Sequence, residues 1–226
     1  MMRSLNRGLQ FSVQHLKPSS RLCSASATSS RCWKCNTAGS NNGFFCASCG
    51  VLLHVPQENY FSLFKQKIGF TIDSVELTKT YRQIQSLIHP DKFGQRSAEE
   101  KTLALEWSAL INKAYKTLSK PLDRGTYLLN LEGVTISEDN SSIDHSFLLQ
   151  MMEFNESVED AQSLEELQQL EQEISNRTRK LNGELEQLFS VHDKEAAKLV
   201  IIRLKYLLNI ESTIKEKVLR LSLKAP

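Results

Sequence analysis

Between residues 77 and 88 the apolar positions Leu77, Tyr81, Ile84 and Ile88 recur at helical spacing, so they share one face of a helix whose other face carries Lys79, Arg82 and Gln85. Pro90 ends this run, because proline has no N–H for the helical ladder and pushes His89 out of the α region. Ser97-Ala-Glu-Glu100 then reads as a capping box that starts a second helix. Its apolar face is Leu103, Trp107, Leu110, Ile111, Ala114 and Leu118. Two amphipathic helices joined by a short loop pack as an antiparallel hairpin, which is expected to show His89 and Asp91 at its tip. Pro121 suits the first turn of a third helix that stops at Gly133, with Tyr127, Leu128 and Leu131 packing back on the hairpin.

After a polar stretch at 134–143 the chain has no proline until Pro226 and only one glycine, Gly183, so it reads as almost entirely helical. Leu167, Ile174, Leu181 and Leu188 stand at seven-residue steps, a seam of coiled-coil type. In the last helix Ala196, Val200, Leu207, Ile210, Ile214, Val218 and Leu221 line one face, and Ala197, Ile201, Leu204 and Leu208 line a second. A helix apolar on two faces needs two neighbours, and a three-helix bundle supplies them. In the first helix of that bundle Ile143, Phe147, Met151, Phe154 and Val158 form the buried face. Leu148, Leu149 and Met152 fall on the opposite side beside Glu153 and Glu156, the composition of a docking strip.

Charge changes this picture at the N-terminus. The formal net charge is +2, yet residues 1–57 hold Arg3, Arg7, Lys17, Arg21, Arg31 and Lys34 with no acid, which leaves the remainder acidic. The helical part therefore has no excess of cations for phosphates, and nucleic acid is not an expected partner. Residues 1–30, rich in Arg and Ser and free of acids, read as a mitochondrial presequence. No apolar run is long enough for a membrane span.

Cys32-Trp-Lys-Cys35 and Cys46-Ala-Ser-Cys49 can each bring two thiolates to one side of a tight turn, and together they form a tetrahedral S4 site suited to one structural Zn2+. Asn36 and Gly50 follow the second cysteine of each pair, where a positive φ turns amides toward sulfur. Iron would use the same ligands. Two disulfides fit a reducing compartment poorly, and a redox Cys-x-x-Cys lacks its βαβ setting. Trp33, Phe44 and Phe45 are expected to cover the metal, Val51 to Asn59 to be a connector, and Cys23 to be lost with the presequence. His15, His54, His145 and His192 show no ligand spacing. No phosphate loop, nucleophile elbow or acid–base carboxylate pair is visible, so enzyme activity has no support in the sequence.

Tyr60-Phe-Ser-Leu-Phe64, Tyr81-Arg82, His89-Pro90-Asp91 and Tyr115 before Pro121 together resemble the J-domain of DnaJ-type co-chaperones. The ending Pro121-Leu-Asp-Arg124-Gly-Thr-Tyr127-Leu-Leu129 narrows the resemblance to the iron–sulfur J-proteins of the HscB/Jac type, and the tetracysteine extension to their animal-type members. The resemblance implies an all-α fold, a J-domain hairpin plus a C-terminal three-helix bundle, preceded by a small zinc knuckle. The expected organisation is a presequence at 1–30, the knuckle at 31–55, a J-domain at 59–133 and a client-binding bundle at 143–224.

It also implies two partners in the mitochondrial matrix, a cytosolic pool being left open. A DnaK-type chaperone would meet His89, Pro90 and Asp91, steered by Lys79, Arg82 and Lys92. An IscU-type scaffold would meet Leu148, Leu149, Met152, Glu153 and Glu156, with Tyr206 added by the resemblance alone. Cluster-recipient proteins are a further partner class. A J-protein with another client, or a metal-handling redox protein built on the tetracysteine site, are the rival readings.

Overall fold

The computed structural model describes residues 31–38, 43–56, 59–136 and 143–223. The expected presequence and most of the polar stretch before residue 143 lie outside these residues. The described elements are α1 (Tyr60–Leu63), α2 (Ser74–Ile88), a 3-10 turn (Pro90–Phe93), α3 (Ala98–Ser119), α4 (Pro121–Leu131), α5 (His145–Asp160), α6 (Leu164–Ser190) and α7 (Lys194–Ser222). Most of the helices start on a side-chain cap: Asn59, Asp73, Ser97, Asp144, Ser163 and Asp193 each accept a first-turn amide. Pro121 starts α4 without one. At Ser97 the expected capping box is half made, because the Glu100 carboxylate accepts from the Ser97 hydroxyl rather than from the Ser97 amide. The complete capping box is at Ser163 and Glu166.

Helices α2 and α3 bury the two predicted stripes against each other: Leu77, Ile84 and Ile88 on one, Leu103, Trp107, Ile111, Ala114 and Leu118 on the other. Tyr81 stacks on Tyr115 with ring centroids 4.1 Å apart and donates its hydroxyl to Asn112 at 2.9 Å. Helix α4 closes this core with Leu128 and Leu129. Leu131, expected inside, is exposed at the last residue of α4.

The neighbours of α7 also differ from the expectation. Its Leu207, Ile210 and Ile214 join Met151, Val158, Leu167 and Ile174 in the bundle core. Its second face, Ala197, Ile201 and Leu204, packs instead into the hairpin core beside α4. A β-carbon added at Gly125 would lie 3.0 Å from Ile201 Cδ1, so the glycine sets how closely α4 and α7 approach. The 29 residues of α7 span about 44 Å at 1.5 Å per residue, and one helix belongs to both cores.

Arg124 is buried on the same side of α4. Its Nε donates to the Phe70 carbonyl at 2.6 Å, its Nη1 to that of Leu118, and its guanidinium lies 5.0 Å from the Phe70 ring centroid. Burial holds its pKa below the ordinary arginine value.

Val51 to Asn59 is more than a connector. Val51 and Leu52 are buried, and Leu52 pairs with Phe45 in an antiparallel bridge. Phe44 and Phe45 pack on the hairpin core rather than over the cysteines, Phe44 meeting Trp107 edge-on at 4.8 Å, because Leu52 inserts there and carries the strand-like segment with it. Only Trp33 of the three expected aromatics lies against Cys32, Cys46 and Val51. Trp33 Nε1 donates to the Leu52 carbonyl and Trp107 Nε1 to that of Leu53, each at 2.8 Å.

Candidate functional site

The loop after α2 is built by its own residues. His89 leaves the helix with φ −57° and ψ 130°, Pro90 occupies the first position of the 3-10 turn, and the Asp91 amide points to His89 Nδ1 at 3.4 Å. The Asp91 carboxylate lies 3.5 Å from His89 Nδ1 and its side chain is 90% exposed, so most of its acceptor capacity faces solvent. Lys92 Nζ donates to the Ser86 carbonyl, capping the end of α2. Lys79 pairs with Glu76 at 3.2 Å on an open face, where such a pair contributes little. Arg82 is exposed and forms no ion pair among the described residues.

On α5 the core face is as read from the period, with Ile143, Met151 and Val158 buried and Phe147 and Phe154 partly so. Leu149 and Met152 are 46% and 59% exposed, Leu148 is half-buried, and Glu153 and Glu156 are exposed beside them. Apolar side chains of this size in solvent on one helix face, edged by carboxylates, suit a partner surface. Tyr206 reaches α5 through Phe147, whose ring it meets edge-on at 6.0 Å.

The four cysteines converge. Their sulfurs all lie within 4.8 Å of one another, with Cys32 to Cys49 and Cys35 to Cys46 both at 3.6 Å. A tetrahedral ion with metal–sulfur bonds of about 2.3 Å needs sulfurs roughly 3.8 Å apart, so the four thiols fit such an ion. All four are free. The two turns repeat each other: Asn36 N–H donates to the Cys32 carbonyl and Gly50 N–H to that of Cys46, each at 2.9 Å, with φ of 58° and 70° at Asn36 and Gly50. Hydrogen bonds from the Thr37 hydroxyl and amide lower the Cys35 pKa to about 6. Amides of Cys49 and Ser48 lower that of Cys46. At Cys49 the Val51 amide favours the thiolate, but desolvation and the three neighbouring sulfurs outweigh it and raise the pKa to about 12. Sulfurs that repel one another's charge in this way are relieved by a cation at their centre.

One feature of the bundle escaped the sequence reading. Arg203 lies over the Phe147 ring at 5.7 Å and Arg177 over Phe154 at 4.8 Å, which brings a cation from α7 to the first turn of α5 and one from α6 to its middle. The helical period assigns such residues to a polar face. It carries no signal that two polar faces meet.

The fold and its loop define a class: a J-type helical hairpin joined to a helical bundle. Residues 143–215 match the family described as the HSCB C-terminal oligomerisation domain. The iron–sulfur cluster co-chaperone protein HscB of Homo sapiens is 38% identical over 192 residues, 83% of this chain and 82% of that protein. The crystal structure of human co-chaperone protein HscB superposes with a TM-score of 0.79 at 37% identity, covering 83% of this chain and 98% of that one. Chaperone HscB from Vibrio cholerae gives a TM-score of 0.65 at 29% identity, covering 70% and 96%. The chain belongs to the HscB family of iron–sulfur cluster co-chaperones.

Proposed function

We propose that this chain is a mitochondrial J-protein co-chaperone that binds an IscU-type iron–sulfur scaffold and stimulates ATP hydrolysis by a DnaK-type chaperone, promoting cluster transfer to recipient proteins. The hydrolysis belongs to the partner. One observation carries the reading: an exposed Asp91 carboxylate on a pinned loop and an exposed Leu149/Met152 strip stand on a single frame joined by α4 and α7. A carboxylate accepting from a chaperone arginine gains about 1.5–3 kcal/mol, enough to decide a transient encounter. His89 and Pro90 shape the loop, while Lys79, Arg82 and Lys92 steer it toward an acidic surface. Leu148, Leu149, Met152, Glu153, Glu156 and Tyr206 meet the scaffold. Holding both partners on one frame raises their effective concentration for each other.

In this reading residues 31–55 form a zinc knuckle, with Cys32, Cys35, Cys46 and Cys49 holding one structural ion. Residues 59–133 form the J-domain, residues 143–224 the client bundle, and residues 1–30 the matrix-directing presequence. The test is a calorimetric titration of the chain with an IscU-type scaffold. Burying an exposed apolar side chain contributes about 1.5–3 kcal/mol, so the Leu148/Leu149/Met152 triple-alanine variant should lose at least tenfold in affinity. Undiminished binding by that variant would remove the strip from the account.

A further inference from the structure

Arg124 belongs to neither of the two sites, yet it is only 8% exposed and no carboxylate pairs with it among the described residues. A buried cation without a counter-ion is costly unless its donors are met. Main-chain oxygens from two separate segments meet them here. Nε donates to the Phe70 carbonyl, in the loop between α1 and α2, and Nη1 to the Leu118 carbonyl, in the last turn of α3. The planar fork of arginine spans two acceptors in a fixed geometry, which the single ammonium of lysine does not.

Phe70 carries the contact across to the bundle. Its ring lies 5.0 Å from the Arg124 guanidinium and stacks on Phe189, in the last turn of α6, with centroids 5.2 Å apart and planes 12° from parallel. A β-carbon added at Gly125 would lie 3.4 Å from Phe70 Cε2, so the ring also sits against α4. The next residue, Thr71, donates its hydroxyl to Glu186 of α6 at 2.7 Å, and Lys194 at the start of α7 pairs with Glu132 after α4 at 2.8 Å. Both polar contacts reach solvent, where pairing is weak, whereas Arg124 and Phe70 are buried.

We propose that Arg124 is a positioning residue of the co-chaperone activity: it fastens Phe70 against α4 and α6, and so fixes the orientation of the Asp91 loop relative to the α5 strip. Arg124 touches neither partner and acts through Phe70 and Phe189. A chaperone that meets the loop must at the same time reach the scaffold held on α5, and the stimulation that chain and scaffold produce together depends on that orientation. This rests on the two-partner reading given above and names the residue that sets its geometry.

The experiment uses the full chain as wild type, Arg124→Met, Arg124→Lys and Phe189→Leu, each held below the onset of its thermal melt. Phe189→Leu removes the stack and leaves both Arg124 hydrogen bonds in place, so it decides the matter if Arg124→Met does not fold. Residual dipolar couplings of the backbone amides report whether hairpin and bundle share one alignment frame. ATPase rates of a DnaK-type chaperone are measured with each chain alone and with each chain plus an IscU-type scaffold. The expected result is one frame in wild type and two in every variant. The further stimulation contributed by scaffold falls about fivefold in the variants, while stimulation by the chain alone and scaffold affinity match wild type. One frame and full further stimulation in Phe189→Leu and in any folded Arg124→Met overturn the proposal and leave the two-partner reading standing. One frame in Arg124→Lys overturns the two-carbonyl hold on which the proposal is built. A wild-type rate that scaffold does not raise overturns both the proposal and that reading.

Discussion

Tyr127 shows what a single polar atom does in this fold. Its hydroxyl accepts the Tyr60 amide at 2.9 Å while its ring stacks on Tyr60 at 4.4 Å, which ties the first turn of α1 to α4. Desolvation raises its pKa above the ordinary tyrosine value of 10.0, and the Tyr60 amide only partly offsets this. The unfolded chain therefore releases this proton first as pH rises. The stabilisation is complete below about pH 10 and is lost as pH climbs through the higher folded pKa. Ultraviolet titration of phenolate absorbance should show one tyrosine ionising late, and that step should vanish in Tyr127→Phe. The same variant should lose about 1 kcal/mol in a denaturant melt. A titration curve identical in the two proteins would contradict this role.

Some residue roles were legible because they are local. Asn36 and Gly50 follow directly from the turn that two cysteines three apart require. Arg124 was not legible beyond its place in a motif, since its two carbonyl partners come from Phe70 and Leu118, one of them 54 positions away.

Among the elements, the knuckle is bound to the hairpin through Trp107, whose Nε1 donates to the Leu53 carbonyl, while Trp33 Nε1 holds Leu52 within the knuckle. Leu52 is fully buried in the hairpin core, which stabilises by about 1.5–3 kcal/mol, and the Trp107 hydrogen bond adds about 0.5–1.5 kcal/mol. In the zinc-knuckle reading, removing the ion, or Cys46→Ser, should then cost the hairpin about 2–5 kcal/mol and shift tryptophan emission to the red, because Trp33 and Trp107 both lose their carbonyl partners. Acid should do the same, since protonated thiols release the ion. An unchanged emission spectrum after chelation would show that the knuckle holds its shape without metal. The cysteine spacing revealed the knuckle, but its seat was hidden: Trp107 reads from its period as an ordinary hairpin residue, and only the folded chain shows its ring edge turned to Leu53.

At the scale of the molecule, α7 decides whether the protein is two modules or one frame. Its two apolar faces were plain in the sequence. Their division between the bundle and α4 was not, because periodicity gives the direction of a face and not the identity of its neighbour. Gly125 is a tight point of that joint, where an added β-carbon would lie 3.0 Å from Ile201 Cδ1. Gly125→Leu should overpack it against Ile201, destabilise by about 1–3 kcal/mol, and uncouple the two sites while each still binds its own partner. A thermal melt combined with the separate binding titrations checks this, and a variant that melts and couples like wild type would show a joint of no consequence.

The most direct test of the account is the ATPase rate of a DnaK-type chaperone with an IscU-type scaffold, measured with wild-type chain and with Asp91→Asn. The account predicts that wild type stimulates hydrolysis, and that the variant loses at least tenfold of the stimulation while its scaffold affinity stays the same. An Asp91→Asn chain that stimulates as well as wild type would contradict the central claim that this carboxylate is the contact that drives the chaperone.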